Sequence, residues 1–179
     1  MTLETPRLLL RPWQEADAEE LYRWASDPLV GHAAGWTPHA SVEDSLHIIR
    51  TLLSQPDTFA VLPRDGEGGP IGSVGVFTTG APEIADEPEI GYWLARPFWG
   101  RGLIPEVVEE LLRWQFQERN AERVWCGHFP GNDKSRRVIE KCGFRYVCTG
   151  PERPWPDGVS RSSLYYALTR QEWEARHGD

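Results

Sequence analysis

Residues 89 to 112 pass through strand, turn and helix without a break. Glu89-Ile90-Gly91-Tyr92-Trp93-Leu94 alternates with the period of a strand, placing Ile90, Tyr92 and Leu94 on one face and Glu89, Gly91 and Trp93 on the other. Ile104, Val107, Val108, Leu111 and Leu112 then recur at helical spacing, the strongest such pattern in the chain. Gly100-Arg101-Gly102 lies between them. A strand delivered into a helix through a glycine turn is a layout that suits an anion. The first turn of a helix carries unpaired N–H groups and the positive end of the dipole, and glycines remove side chains that would keep phosphate oxygens away. A plain tight turn with Pro105 in the first helical turn is the alternative reading.

The rest of the chain supplies the partners of that unit. Arg7 to Trp13 reads as a strand, Glu15 to Ser26 as a helix ended by Asp27-Pro28, and Val42 to Ser54 as a helix capped by Ser41. Phe59 to Leu62 and Ile71 to Phe77 read as strands joined by the glycine-rich Arg64 to Gly69, an antiparallel pair. Val124 to Gly127 is a strand, Asp133 to Cys142 a helix closed by Gly143, and Phe144 to Cys148 and Leu164 to Leu168 are strands. Pro63 to Pro70, Gly80 to Pro88 and Gly150 to Gly158 are loops. The order is β α α β β β α β α β β. At 179 residues the chain is expected to form one domain, 1–179.

Composition excludes several classes. Acidic residues outnumber basic ones 27 to 19, for a net charge of −8, which disfavours a nucleic-acid partner. No stretch approaches the length a membrane helix needs, so no membrane partner is expected. The segment Met1 to Arg7 lacks a basic start and an apolar core, and a cytoplasmic location is expected. Only Lys134 and Lys141 are lysines and neither follows a glycine, so a P-loop is ruled out; Pro105 stands where a dinucleotide fingerprint needs its third glycine. Cys126, Cys142 and Cys148 read as small buried hydrophobes. The five histidines have no H-x-x-x-H spacing, and no metal is expected. Cys126 and His128 share a strand face without a recognisable oxyanion donor or orienting acid, so a nucleophile and base pair is disfavoured.

The neighbours of the glycine turn carry a likeness. Glu89-Ile90-Gly91-Tyr92-Trp93-Leu94 followed by Pro97-Phe98-Trp99-Gly100-Arg101-Gly102 resembles the GNAT superfamily of acetyl-CoA-dependent N-acetyltransferases, in the branch that acetylates ribosomal-protein N-termini. That branch writes the segment as E-I-G-Y-W-L and then P-x-W-G-x-G. Three further stretches are similar: Thr5-Pro6-Arg7-Leu8-Leu9-Leu10-Arg11; Asn132-x-x-Ser135 with Glu140-Lys141-Cys142-Gly143-Phe144; and Asp157-Gly158 before Leu164-Tyr165-Tyr166-Ala167-Leu168. Two positions depart from the general pattern: Pro97 stands in place of Gln or Arg, and Pro105 in place of a small residue. Neither lies within 99 to 104, so both leave the backbone donors of that interval in place.

The resemblance implies an α/β (α+β) GNAT fold: a mixed, largely antiparallel central sheet of about seven strands flanked by helices and split around the cofactor. It implies acetyl-CoA as co-substrate, held by Trp93, Leu94, Trp99, Gly100, Arg101, Gly102, Leu103, Ile104 and Asn132. The acceptor is an amine, either a peptide N-terminus or a small amine such as a polyamine or aminoglycoside, and the enzyme is a monomer or homodimer. A CoA-binding regulatory module without turnover is a further alternative. A protonated amine cannot attack a thioester, so a carboxylate base is needed; Glu89, at the start of the strand, takes that role, against the reading of an exposed strand-end glutamate. Ser135 supplies a proton to the departing thiolate, and Asn132 bonds the pantetheine arm or a water; Asn132 also reads as a simple N-cap. His32 and Trp36, in the stretch from Gly31 to Pro38 taken as a loop, line the acceptor side or pack locally.

Overall fold

Alternation along the first strand is the local rule from which the amino-terminal part is built: Leu8 and Leu10 are buried while Leu9 and Arg11 are only partly covered. The structure is a computed structural model that describes residues 1–66, 68–84, 86–155 and 157–178. Residue 67 in the glycine-rich connection, residues 85 and 156 in the two later loops, and the terminal residue 179 lie outside the described residues. The chain divides into two compact units, Met1–Gly75 with Tyr92–Val107, and Val76–Gly91 with Val108–Asp179.

In the first unit the strands run β1 (Leu3–Glu4), β2 (Leu8–Arg11), β3 (Thr58–Pro63), β4 (Gly72–Thr78) and β5 (Pro88–Leu94), in that order across the sheet. The pairs β1–β2, β2–β3 and β3–β4 are antiparallel. Helices α1 (Ala18–Ala25), α2 (Pro28–Ala34) and α3 (Val42–Ile48) lie between β2 and β3, and α3 runs on into a π-helical turn, Ile49–Leu53. Leu21, Ala25 and Ile49 pack with Trp13 and Ala60, and Trp36, Leu46 and Trp93 close over them. The side chain of Ser41 accepts the N–H of Asp44, which makes it the N-cap expected from sequence. Gly72 meets β5 so closely that a Cβ there would stand 2.4 Å from the carbonyl oxygen of Trp93.

The second unit holds the continuation of β4 and β5 and then β6 (Arg123–His128), β8 (Ser160–Thr169) and β7 (Arg145–Pro154). β5 and β6 are parallel, with Glu89 opposite Trp125; β6–β8 and β7–β8 are antiparallel. Helix α4 (Leu103–Arg113) ends in a π-helical turn, Trp114–Glu118, before β6, and α5 (Asp133–Lys141) connects β6 to β7. Helix α6 (Arg170–His177) starts at a capping box in which Thr169 and Glu172 bond each other's backbone N–H groups. Trp125, Tyr165 and Ala167 form a buried cluster with Ala81.

The eight strands pair mostly antiparallel and are accompanied by helices, as the resemblance implied. Five details differ from the expectations drawn from the sequence. The two-residue β1 was too short to register as a strand. Asp27-Pro28 does not merely end α1: Asp27 accepts the N–H of Leu29 and Pro28 occupies the first turn of α2, where its missing N–H costs nothing. The stretch from Gly31 to Pro38 is therefore half helix, with His32 in the last turn of α2 and Gly35 closing it at φ 87°. Residues 150 to 154, expected as loop, extend β7, and α6 has no counterpart in the expected order of elements.

Candidate active site

In the first unit, Pro97 sits within a 3₁₀ turn, Arg96–Phe98, after which the chain must reverse into α4. Gly100 and Gly102 make that reversal at φ 73° and 71°, in the left-handed region where an L side chain is strained. Nothing lies within 4 Å of where a Gly100 Cβ would be, so the turn has an open side. Trp99 locks its start, donating its indole N–H to the carbonyl of Leu94 at 2.6 Å and its backbone N–H to Arg96 at 3.1 Å. That backbone bond corrects the sequence reading, in which every amide from 99 to 104 was available: the donor at Trp99 is already used. Leu103 and Ile104 are buried in side chain, so what they can offer a ligand is backbone N–H. The positive-φ glycines, the open side at Gly100 and the start of an 11-residue helix fit a diphosphate.

The turn is also tied to the amino terminus. Arg7 donates from Nη1 to the carbonyl of Arg101 at 3.0 Å and from Nη2 to that of Gly102 at 3.2 Å. Its Nε and backbone N–H reach the two carboxylate oxygens of Glu106 at 2.6 and 2.8 Å, and Thr5 donates its hydroxyl to the same carboxylate. In the sequence Thr5-Pro6-Arg7 stands out only as part of the family likeness. Its link to the turn spans 94 positions and has no local trace.

Trp93, half-buried on β5, meets Trp36 edge to face with ring centroids 5.9 Å apart. Trp36 in turn lies against His39, whose Nδ1 pairs with the buried Ser45 hydroxyl at 2.8 Å. Burial holds the His39 imidazole below its ordinary pKa, against the opposing pull of Asp44. His32 is exposed on α2. In the sequence His39 carries only a thin signal, an aromatic two residues before Ser41.

In the second unit, Glu89 is only 8% exposed, which sets aside the reading of a solvated strand-end glutamate. Its Oε2 accepts from the Thr79 hydroxyl at 2.8 Å and from the Gly80 N–H at 3.1 Å. Burial raises its pKa above the usual carboxylate value, outweighing the lowering by Thr79, Gly80 and Arg153. Gly127 on the adjacent strand leaves room, since a Cβ there would lie 3.2 Å from Oε1. Asn132 caps α5, its Oδ1 accepting the N–H of Ser135 at 3.1 Å, and both side chains are half-buried.

His128 is committed elsewhere: Nδ1 donates to the carbonyl of Phe129 at 3.0 Å, which leaves Nε2 to accept from the Tyr166 hydroxyl at 3.1 Å. It is no base for Cys126. Cys126 and Cys142 are buried, as expected of small hydrophobes, whereas Cys148 is only partly covered; burial pushes the Cys142 thiol up to about 12.

A strand, a left-handed glycine turn and the start of a long helix thus stand on a mostly antiparallel sheet accompanied by helices. The chain belongs to the family described as the acetyltransferase (GNAT) domain, which matches residues 7–145. It is 34% identical over 92 residues to a Bacillus subtilis (strain 168) protein provisionally named the ribosomal N-acetyltransferase YdaF; that match spans 51% of this chain and only 50% of the relative. It is 28% identical over 184 residues to the FsC-acetyl coenzyme A-N(2)-transacetylase of Aspergillus fumigatus, covering 96% of this chain and 77% of the relative. The ribosomal-protein-S5-alanine acetyltransferase of Vibrio fischeri superposes with a TM-score of 0.77 at 18% identity, covering 97% and 98% of the two chains, which shows a shared fold.

Proposed function

We propose that this enzyme acetylates the α-amine of a protein or peptide N-terminus, with Glu89 as base, Ser135 as acid and residues 1–179 acting as one catalytic domain. The observation that carries the proposal is the buried Glu89 carboxyl, fixed through one oxygen by Thr79 and Gly80. A base must be ionised before it can act, and a carboxylate raised by burial is better matched to an amine than an ordinary one. An α-amine, at about 7.7 to 8.0, is already partly neutral near physiological pH, so one modest base suffices; a lysine amine at about 10.4 asks for more.

Acetyl-CoA, when bound, supplies the activated acetyl group. In this reading the amides from Gly100 to Ile104 hold its diphosphate, and those of Trp93 and Leu94 hold the acyl oxygen. Asn132 bonds the pantetheine arm, and Ser135 gives a proton to the sulfur as it leaves. Trp36 and His32 bound the acceptor side. The provisional name of the Bacillus relative, a ribosomal N-acetyltransferase, supports the same acceptor class.

The test is incubation with acetyl-CoA and Ala- or Ser-starting peptides, each beside an N-terminally blocked twin that contains a lysine, read by mass spectrometry. Acetylation of the open peptide alone is expected. Acetylation of the blocked twin, or of spermidine and no peptide, sinks the N-terminal reading in favour of a small-amine or lysine acceptor.

A further inference from the structure

Four donors of Arg7 converge on the glycine turn and the first turn of α4, and none of them is aimed at the open side of the turn. Two take the carboxylate of Glu106 and two take the carbonyls of Arg101 and Gly102. The described peptides are all trans, and in a trans peptide the carbonyl and the following N–H point in opposite directions. Drawing back the oxygens of Arg101 and Gly102 therefore turns the N–H groups of Gly102 and Leu103 away from Arg7. It also covers two partial negative charges that would otherwise repel an anion. Both glycines sit at positive φ and have no side chain to fix the turn themselves, so its peptide planes need an outside hold.

Glu106 makes the hold rigid. It receives the backbone N–H and Nε of Arg7 and the hydroxyl of Thr5, and these bonds keep its carboxyl below the ordinary value although burial pushes it up. The ion pair also neutralises the guanidinium, so Arg7 acts through geometry more than through its charge.

We propose that Arg7, locked by Glu106, is a positioning residue for the cofactor's diphosphate, aligning the amides of the glycine turn from behind. The proposal rests on the reading of that turn as the diphosphate cradle of acetyl-CoA. It predicts an effect confined to donors that carry a diphosphate.

The experiment compares acetyl-CoA with S-acetyl-pantetheine, which has the same thioester and no diphosphate, for the parent, Arg7→Ala and Arg7→Lys. With acetyl-CoA the KM of Arg7→Ala is expected to rise about tenfold or more at nearly unchanged kcat, since charge-assisted bonds that align the cradle are lost. With S-acetyl-pantetheine its kinetics are expected to match the parent. Arg7→Lys keeps the charge, but one ammonium cannot reproduce a planar fork across two carbonyls, so most of the loss is expected to remain. Should Arg7→Ala fail to fold, the lysine variant decides alone. Equal losses with both donors, or a parent-like KM for acetyl-CoA in Arg7→Lys, overturn the proposal. A parent that neither turns over acetyl-CoA nor binds CoA by calorimetry overturns the cradle reading beneath it, a result visible before any variant is made.

Discussion

Glu89 combines two costs that separate in a variant. Its folded pKa is raised, so between the unfolded carboxylate value and the folded one the native state binds more protons than the unfolded state. Stability therefore falls as pH rises through that window, and the ionised carboxylate is a burden at neutral pH. Glu89→Gln removes the burden, and its amide oxygen can still accept from Thr79 and Gly80. The variant is expected to melt no lower than the parent at about pH 8, and the difference between the two to shrink as pH falls below the unfolded carboxylate value of about 4.3, where Glu89 becomes neutral in both states. Turnover is expected to fall by about 10² to 10⁴ with loss of the acidic limb of the rate profile, and by less if solvent can take the proton. A variant that melts well below the parent at the higher pH, with turnover intact, would give Glu89 a structural role instead. Gly72 is a residue-scale case of another kind. A Cβ there collides with backbone, the Trp93 oxygen, which cannot swing aside. Gly72→Ala is expected to destabilise by about 1 to 3 kcal/mol in chemical denaturation, the usual cost of forcing atoms into filled space.

At the scale of elements, α5 poses the question of whether Asn132 caps or binds. Its Oδ1 accepts the Ser135 N–H, so Asn132→Ala is expected to lose about 1 kcal/mol of stability. Asn132→Asp keeps the capping oxygen and loses the amide donor. Restored stability with turnover still depressed is the expected result, measured by melts and initial rates on the same samples; joint recovery would reduce Asn132 to a cap. The elements themselves were legible in proportion to their periodicity. α4 and β5 were readable because five apolar residues at helical spacing, and a strict alternation, leave little freedom. β1 is two residues long, and α2 was hidden because Pro28, Gly31 and Gly35 look like breakers when Pro28 is in fact a first-turn proline. α6 is charged on most of its surface and buries only Trp173, so tertiary packing and its Thr169 cap define it more than any apolar stripe. The site divides the same way. Residues within one strand or helix could be nominated from sequence, whereas the Thr79 and Gly80 contacts to Glu89 and the Arg7 hold on the turn link distant positions through space.

At the scale of the whole molecule, the net charge of −8 sets a long-range field that acts on both substrates with opposite sign. A basic acceptor is drawn in and an anionic donor repelled, and under the proposed reading the fixed dipoles of the glycine turn offset that repulsion at short range. Salt weakens the long-range part first, because the screening length falls from roughly 30 Å at 0.01 M to about 8 Å at 0.15 M. For an Ala-starting peptide rich in Arg and Lys, kcat/KM is therefore expected to decline as ionic strength rises over that interval. A peptide with the same first residues and a neutral remainder should hardly change, and one rich in Asp and Glu should improve. Initial rates at saturating acetyl-CoA isolate the acceptor from any salt effect on the donor. The ranking matters as much as the slopes: if the basic peptide is not preferred at low salt, charge plays no part in acceptor choice, and under the proposed reading selection is left to Trp36 and His32 on the acceptor side.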